Sequence, residues 1–474
     1  MSIRDEIAAH RKRRVTEEGH SLGVPLPASR KVPLVPFGRA PFLICEIKRR
    51  SPSKGDIAPG LDARARAEVY AAAGVKTVSV LTEEDYFGGS LADLIRVKEG
   101  FPDIAVLRKD FLLDEEDIEV SYRAGADAVL LIAGMLDAGK LYSMYGTARD
   151  LGMECLVEVH CREDVDKARP FTPRYVGINS RDLRTFRVDP LRPMETAGYV
   201  DWAAELVFES GVRSEEEAVT VLDAGFSGLL VGEGVVKDPG LIPGLVRAVT
   251  VSTGRIVRFW PEIAARRRPL VKICGITNTE DAEAAAAFGA DVLGFVFADS
   301  PRRAETALPG KLRHLRVLKV GVVTGGPGGL SGPLAAEIRG MLEKGDIDAV
   351  QLHGNETPEV CFSSAYPYYK AIRVRGKGDI EAAENYRCPR VLFDAFSSRL
   401  PGGTGKRIDG KPAALLPKEK LWLAGGLGPD SIRRTVREYS PELVDASSLL
   451  EERPGKKDRG KVKKFFQEIE HGIQ

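Results

Sequence analysis

Short apolar runs in the first half of the chain close on residues that can carry charge or hydrogen bonds: Glu46-Ile47-Lys48, Lys109-Asp110, Glu158, Asn179 and Glu209-Ser210. Alternation in an extended strand sends Glu46 and Lys48 to the same side. An ammonium beside carboxylates can protonate a carbonyl oxygen while a carboxylate removes a proton nearby, which is general acid–base catalysis. Clustered lysines are expected to depress one another's pKa and let one donate near neutrality. Burying so many charges is costly without a ligand or a purpose. The second half offers a different set. Cys274 ends an apolar run and precedes Gly275, Gln351 and His353 precede Gly354, and Asp394 closes another run. A thiol and a carboxyl from different strands supply a base and an acid. An ordinary thiol, near pKa 8.5, is only a few per cent thiolate at neutrality, and Lys272, two residues away on the same face, is expected to favour the charged form. Gly211, Gly232, Gly425, Gly426, Ser210, Ser447 and Ser448 follow late strands, where backbone N–H groups can meet a phosphate. Glu233, between two such glycines, is expected to point away from a dianion.

The elements that must position these groups alternate along the whole chain. Strands are predicted at Phe42–Lys48, Thr77–Thr82, Ala105–Lys109, Ala128–Ile132, Cys155–Glu158, Tyr175–Asn179, Leu206–Ser210 and Gly228–Val231. They lie roughly 18 to 35 residues apart, the span of a strand–helix unit. Runs apolar throughout, such as Val129-Leu130-Leu131-Ile132, suit strands covered by helices on both faces of a parallel sheet. An open doubly wound sheet would want a glycine fingerprint after its first strand, where this chain has Glu46-Ile47-Lys48. The pattern then restarts at Leu270–Cys274, Val292–Phe297, Val317–Val323, Ala349–His353, Tyr369–Val374, Val391–Asp394, Leu421–Ala424 and Leu443–Ala446. Gly125-Ala126-Asp127 and Gly289-Ala290-Asp291 each precede a strand. The expected fold is therefore α/β, two tandem (β/α)8 TIM barrels, the first with an N-terminal helical extension over Met1–Ala40 packed on a barrel mouth. The expected domains are 1–255 and 269–474, with 256–268 as a linker whose basic run is a solvated face.

Composition limits the remaining classes. The 474 residues carry 69 Lys+Arg and 68 Asp+Glu, a net charge of +1, so no basic field points to nucleic acid or to an anionic membrane. No apolar run approaches the ~18 residues of a transmembrane span, and no signal-peptide core follows the charged first residues. The six cysteines form no CxxC pair and no zinc-type spacing, so neither a metal nor a structural disulfide is expected. A cytoplasmic monomer acting on small molecules is the expectation.

The first-half motifs, Glu46-Ile47-Lys48-Arg49-Arg50-Ser51-Pro52-Ser53-Lys54-Gly55, Leu107-Arg108-Lys109-Asp110-Phe111, Leu156-Val157-Glu158-Val159-His160, Gly177-Ile178-Asn179-Ser180-Arg181-Asp182-Leu183 and Glu209-Ser210-Gly211, resemble indole-3-glycerol-phosphate synthase. The resemblance covers about the first 255 residues. It implies closure of 1-(2-carboxyphenylamino)-1-deoxyribulose 5-phosphate to an indole, with loss of carbon dioxide and water. It implies Lys109 as principal acid, Lys48 as substrate contact sharing acid duties, and Glu158 as base in the dehydration. Glu46 and Asn179 orient these groups, Ser51, Glu209 and Ser210 contact substrate, and Arg181 or Lys48 holds the anthranilate carboxylate.

The second-half motifs resemble phosphoribosylanthranilate isomerase: Val271-Lys272-Ile273-Cys274-Gly275-Ile276-Thr277, Gly294-Phe295-Val296-Phe297 with Ser300-Pro301-Arg302, Val350-Gln351-Leu352-His353-Gly354, Gly402-Gly403-Thr404-Gly405, Leu423-Ala424-Gly425-Gly426-Leu427 and Pro454-Gly455-Lys456-Lys457-Asp458. This resemblance implies an Amadori rearrangement in which Asp394 protonates the ring oxygen and Cys274 takes the proton from C2. Gln351 and His353 are implied as substrate contacts, and Arg302, with Arg303 as the alternative register, as partner of the anthranilate carboxylate. Two departures stand out. Leu449 replaces a usual glycine after the two serines, where its side chain is expected to crowd the phosphate or restrict the backbone, and Asp394-Ala395-Phe396 replaces a more polar stretch. The implied reactions are consecutive and need no cofactor. The competing expectation is a monofunctional synthase whose second barrel only binds a phosphosugar or serves the structure.

Overall fold

In strands whose inward positions are apolar at one end and charged at the other, closing the sheet gathers the apolar ends into a core and the charged ends into a rim. The computed structural model, which describes residues 3–52, 55–182, 187–251, 257–266, 269–361, 366–395 and 415–473, shows this arrangement twice. The first barrel comprises β1 (Phe42–Ile47), β2 (Thr77–Leu81), β3 (Ala105–Lys109), β4 (Ala128–Ile132), β5 (Glu154–Val159), β6 (Tyr175–Asn179), β7 (Glu205–Glu209) and β8 (Gly228–Val231). All pair in parallel, and β1 closes the ring by pairing with both β2 and β8. The second comprises β9 (Leu270–Cys274), β10 (Val292–Val296), β11 (Leu318–Val323), β12 (Ala349–Leu352), β13 (Tyr368–Val374), β14 (Val391–Ala395), β15 (Trp422–Ala424) and β16 (Leu443–Ala446), closed by β9 on β16. Every predicted strand is present, with ends differing by at most a residue.

Inside the first barrel Phe42, Ile44, Ala105, Leu107, Leu156, Tyr175 and Val207 form one buried cluster. Two residues further along each strand stand Glu46, Lys109, Glu158 and Glu209, so the period of two that fills the core also builds the rim. The second barrel is more polar within, where Lys272, Gln351, Tyr369 and Asp445 are all buried. The shared Gly-Ala-Asp phrase does the same work in both halves. Asp127 accepts the backbone N–H of Val106, and Asp291 accepts that of Val271, each at 2.8 Å. Each carboxylate thus satisfies a donor at the start of the neighbouring strand.

Among the described residues of the N-terminal extension, helix covers only Ile3–Glu18. That helix docks through Arg11 on Asp117 at 2.8 Å and Arg14 on Glu84 and Asp85 at 2.8 and 2.9 Å. The chain then runs without helix or strand to Phe37, whose ring meets those of Phe42 and Tyr175 at the apolar end of the barrel. The expected linker 256–268 carries structure of its own. Residues Phe259–Ala265 form a helix, and Phe259 stacks on Tyr369 while Trp260 meets Trp422. The basic run had masked two aromatic residues that bury themselves against the second barrel. By contact the chain divides into Met1–Val257 and Arg258–Gln474. Among the described residues no helix is long and apolar enough to cross a membrane.

Candidate active sites

At the carboxyl rim of the first barrel, Lys109 Nζ lies 2.9 Å from Glu158 Oε2 and 3.1 Å from Glu209 Oε2. Glu158 Oε1 accepts from Asn179 Nδ2 at 3.3 Å and has His160 Nε2 at 3.1 Å. Lys48 Nζ pairs with Glu46 Oε1 at 2.8 Å. Two glycines make the packing possible: a Cβ on Gly177 would stand 2.1 Å from Glu209 Oε1, and one on Gly232 would stand 2.4 Å from Glu46 Oε1 and 2.8 Å from Lys48 Nζ. Ser51 belongs to a short hairpin pairing Arg50–Ser51 with Gly55–Asp56, just past Lys48. Asn179 Oδ1 accepts the Arg181 N–H at 3.0 Å. Ser210 and Gly211 both have positive φ, 69° and 93°, and the Ser210 carbonyl accepts from Ser180 Oγ at 2.8 Å. Glu233 turns to Lys237 at 2.7 Å. Ser53, Lys54 and Leu183 lie outside the described residues.

Electrostatics at this rim differ from the expectation of mutually depressed lysines. Burial disfavours the Lys109 charge, but Glu158, Glu209 and Glu46 outweigh it and hold the ammonium above its ordinary pKa. Burial likewise disfavours the Glu158 carboxylate, yet Lys109 and His160 keep it well below the usual range. Glu209 is pushed up, by burial first and then by Glu158, despite Lys109. Its Oε1 is buried with no hydrogen-bond partner. The site thus holds an ammonium within hydrogen-bond reach of both an ionised carboxylate and a carboxyl shifted toward neutrality.

In the second barrel Cys274 and Asp394 stand at the ends of β9 and β14, both buried. Lys272 Nζ contacts Asp445 Oδ2 at 2.5 Å and Gln351 Oε1 at 2.8 Å. Gln351 Nε2 lies 3.1 Å from His353 Nδ1, and His353 Nε2 lies 3.3 Å from Asp394 Oδ2. Burial raises the Cys274 thiol, and the lowering pull of Lys272 and Lys457 does not reverse this. The charged form expected from Lys272 is not favoured, because burial outweighs the pull of that ammonium and Asp445 adds to the rise. A Cβ on Gly275 would stand 2.9 Å from Arg302 Cδ and 3.1 Å from Ser447 Oγ, so the glycine lets these groups close around the loop. Gly425 and Gly426 adopt φ of 91° and 64° after β15, beside the Ser447-Ser448 turn after β16. Arg302 gives Nε and Nη2 to Glu451, whereas the adjacent Arg303 is exposed after β10.

Two family models match the chain: indole-3-glycerol phosphate synthase over residues 32–241 and N-(5'phosphoribosyl)anthranilate (PRA) isomerase over 271–468. A Phytophthora nicotianae protein named tryptophan biosynthesis protein TRP1 is 30% identical over 85% of this chain and 87% of its own length. The chain belongs to the family that joins these two domains. A multifunctional tryptophan biosynthesis protein of Schizosaccharomyces pombe is 31% identical over 90% of the chain, which spans 59% of that relative. An indole-3-glycerol phosphate synthase of Geobacillus thermodenitrificans is 42% identical over 46% of this chain and 86% of that protein.

Several groups beside the two rims lie outside the candidate site residues that the sequence points to. In the synthase-family barrel this is His160, two residues beyond Glu158 and so on the same face. In the isomerase-family barrel it is Asp445, a lone carboxylate in the apolar run Leu443–Ala446, with Tyr369 and Glu451. The strand period could have flagged His160 and Asp445; Tyr369 and Glu451 matter only through partners distant in sequence. Leu449, expected to restrict the backbone, has no positive φ and leans over Gly428, whose added Cβ would stand 2.8 Å from its own. The chain bends there without glycine because a different glycine makes the room. Phe396 and the Gly402-Gly403-Thr404-Gly405 stretch lie outside the described residues. His10, Glu83 and Asp85 also converge, but Glu83 already accepts the N–H groups of Asp85, Tyr86 and Phe87, and Asp85 is paired with Arg14.

Proposed function

We propose that the second barrel isomerises N-(5-phosphoribosyl)anthranilate to 1-(2-carboxyphenylamino)-1-deoxyribulose 5-phosphate and that the first closes this product to indole-3-glycerol phosphate. The observation that carries the reading is Lys109, held between an ionised Glu158 and a shifted Glu209. In the first barrel the Lys109 ammonium donates to the substrate carbonyl as the aromatic carbon attacks it. Decarboxylation restores the ring, and Glu158 takes the proton released as water leaves. Lys48 and Glu46 line the opposite side of the rim with Ser51, and Arg181 or Lys48 meets the anthranilate carboxylate. Glu209 shares Lys109, and the Ser210, Gly211 and Gly232 loops take the phosphate.

In the second barrel Asp394 gives its proton to the ribose ring oxygen as the C1–O bond opens. Cys274, as thiolate, then removes the C2 proton. Gly425, Gly426, Ser447 and Ser448 hold the phosphate. His353 stands beside Asp394, and Gln351 beside His353. Arg303 suits the anthranilate carboxylate better than Arg302, because Glu451 already occupies the Nε and Nη2 of the latter. The relaxed backbone at Leu449 supports an active second barrel over a merely structural one. A near-neutral charge supports action on small molecules rather than on nucleic acid or a membrane, and six unpaired thiols support a cytoplasmic setting.

The test supplies freshly made phosphoribosylanthranilate to the whole chain and follows aminoketose and indole products separately. Indole-3-glycerol phosphate formed through a transient aminoketose is the expected result. Conversion of added aminoketose alone, with no consumption of phosphoribosylanthranilate above its spontaneous rate, would confine the activity to the first barrel.

A further inference from the structure

A chain of hydrogen-bonding groups crosses the second barrel from β9 to β14, and the chemistry of its members fixes its direction. Lys272 Nζ has only hydrogens to offer, and it reaches Gln351 Oε1 at 2.8 Å. The Tyr369 hydroxyl donates to the same oxygen at 2.9 Å. The Gln351 amide is therefore held with its oxygen toward these donors and its NH2 toward His353. That NH2 lies 3.1 Å from His353 Nδ1, so Nδ1 must accept. A neutral imidazole accepting at Nδ1 carries its hydrogen at Nε2. Nε2 is buried, has no aligned hydrogen-bond partner, and lies 3.3 Å from Asp394 Oδ2. Arg373 Nη2 holds the backbone of the histidine by donating to the His353 carbonyl at 2.9 Å. Asp445, at 2.5 Å, anchors Lys272 at the far end.

We propose that His353 is a positioning residue for Asp394, locked by Lys272, Tyr369 and Gln351 into the neutral tautomer whose Nε2–H faces the carboxyl. This rests on the isomerase reading of the second barrel. When Asp394 gives its proton to the ring oxygen, its own O–H bond breaks, a ring O–H forms, and a carboxylate remains. An Nε2–H donor binds that carboxylate more strongly than the carboxyl before transfer, so the contact acts on the chemical step rather than on substrate affinity. A second proton on His353 would have to enter at Nδ1 and break the Gln351 bond.

Two measurements test this. Imidazole 15N spectra of the histidine-labelled whole chain, with the His353 signals assigned by their loss in His353→Gln, should show the Nε2–H tautomer at neutral pH. Gln351→Glu sets a carboxylate against Nδ1 and should convert the ring to the cation or to the Nδ1–H form. In isomerase assays His353→Ala should lower kcat by about 10- to 100-fold with KM within about twofold, and His353→Gln, which keeps an N–H for Asp394, should recover part of the loss. A wild-type ring protonated at Nδ1 would overturn the proposal. So would a raised KM at unchanged kcat in His353→Ala, which marks an ordinary substrate contact. If the wild-type chain does not consume phosphoribosylanthranilate, the isomerase reading fails, while the tautomer is still read from the spectrum.

Discussion

Lys109 is the residue on which the first site turns, because three carboxylates share its single charge. Lys109→Ala should retain the barrel by circular dichroism and lower kcat for ring closure by about 10²- to 10⁴-fold. It also takes from the buried Glu209 the ammonium that opposes its rise, while Glu158 keeps His160. The folded pKa of Glu209 then lies further above the ordinary ~4.3, so the stability that comes from holding its proton is fullest below that pH and is lost as pH rises through the folded value. Thermal melts across this range should show the unfolding temperature of the variant falling with rising pH more steeply than that of the wild type. An unchanged turnover number would remove Lys109 from the role of acid. Cys274 carries the opposite lesson. Burial raises its thiol, so the neutral form dominates at neutrality and alkylation should accelerate only above the ~8.5 of an ordinary thiol. The part of the iodoacetamide labelling that disappears in Cys274→Ser reports it, and a midpoint below 8 (roughly half a unit under that value) would show the thiolate to be favoured instead.

At the scale of elements, the strands do two jobs at once. The alternation that buries Leu107, Leu156 and Val207 also delivers Lys109, Glu158 and Glu209 to one rim. Small residues then decide whether these long side chains fit. Gly177 has no side chain where Glu209 Oε1 lies, and an added methyl would stand 2.1 Å from that oxygen. Gly177→Ala should therefore displace Glu209 and slow ring closure by about 10²-fold, as misplacement near 1 Å does elsewhere. The isomerase rate of the same chain provides an internal control and should not change. Equal loss of both activities would point to misfolding rather than to the displaced carboxylate. The strands were legible because runs buried on both faces are apolar throughout. The extension and the linker were less so: in one, most of the chain before β1 has no helical period to read, and in the other, two aromatic residues sit beside a basic run.

At the scale of the whole molecule, each barrel is entered by a segment that places aromatic rings against it, Phe37 on Phe42 and Tyr175, and Phe259 with Trp260 on Tyr369 and Trp422. The contact division at Val257 and Arg258 leaves Phe259 and Trp260 with the second unit. A fragment beginning at Arg258 should fold and retain isomerase activity. One beginning at Leu270 forfeits two buried aromatic side chains, each worth about 3–5 kcal/mol by truncation, and should melt far lower or aggregate. Denaturation of the two fragments in urea checks this, and equal midpoints would show that the aromatic pair is dispensable.

By itself the sequence determined the two-barrel architecture, the rim residues and the family, because period, strand-end chemistry and motif order are all local properties of the chain. Tertiary structure alone decided what each rim group is charged against. Lys109 meets Glu158 and Glu209, 49 and 100 positions away, and Lys272 meets Asp445 at a separation of 173. Coulomb energy depends on distance in space and on exclusion from water, neither of which a linear pattern contains. That is why the expected depression of Lys109 became an elevation, why the Cys274 thiolate is disfavoured, and why Arg302 is engaged by Glu451 while Arg303 is exposed.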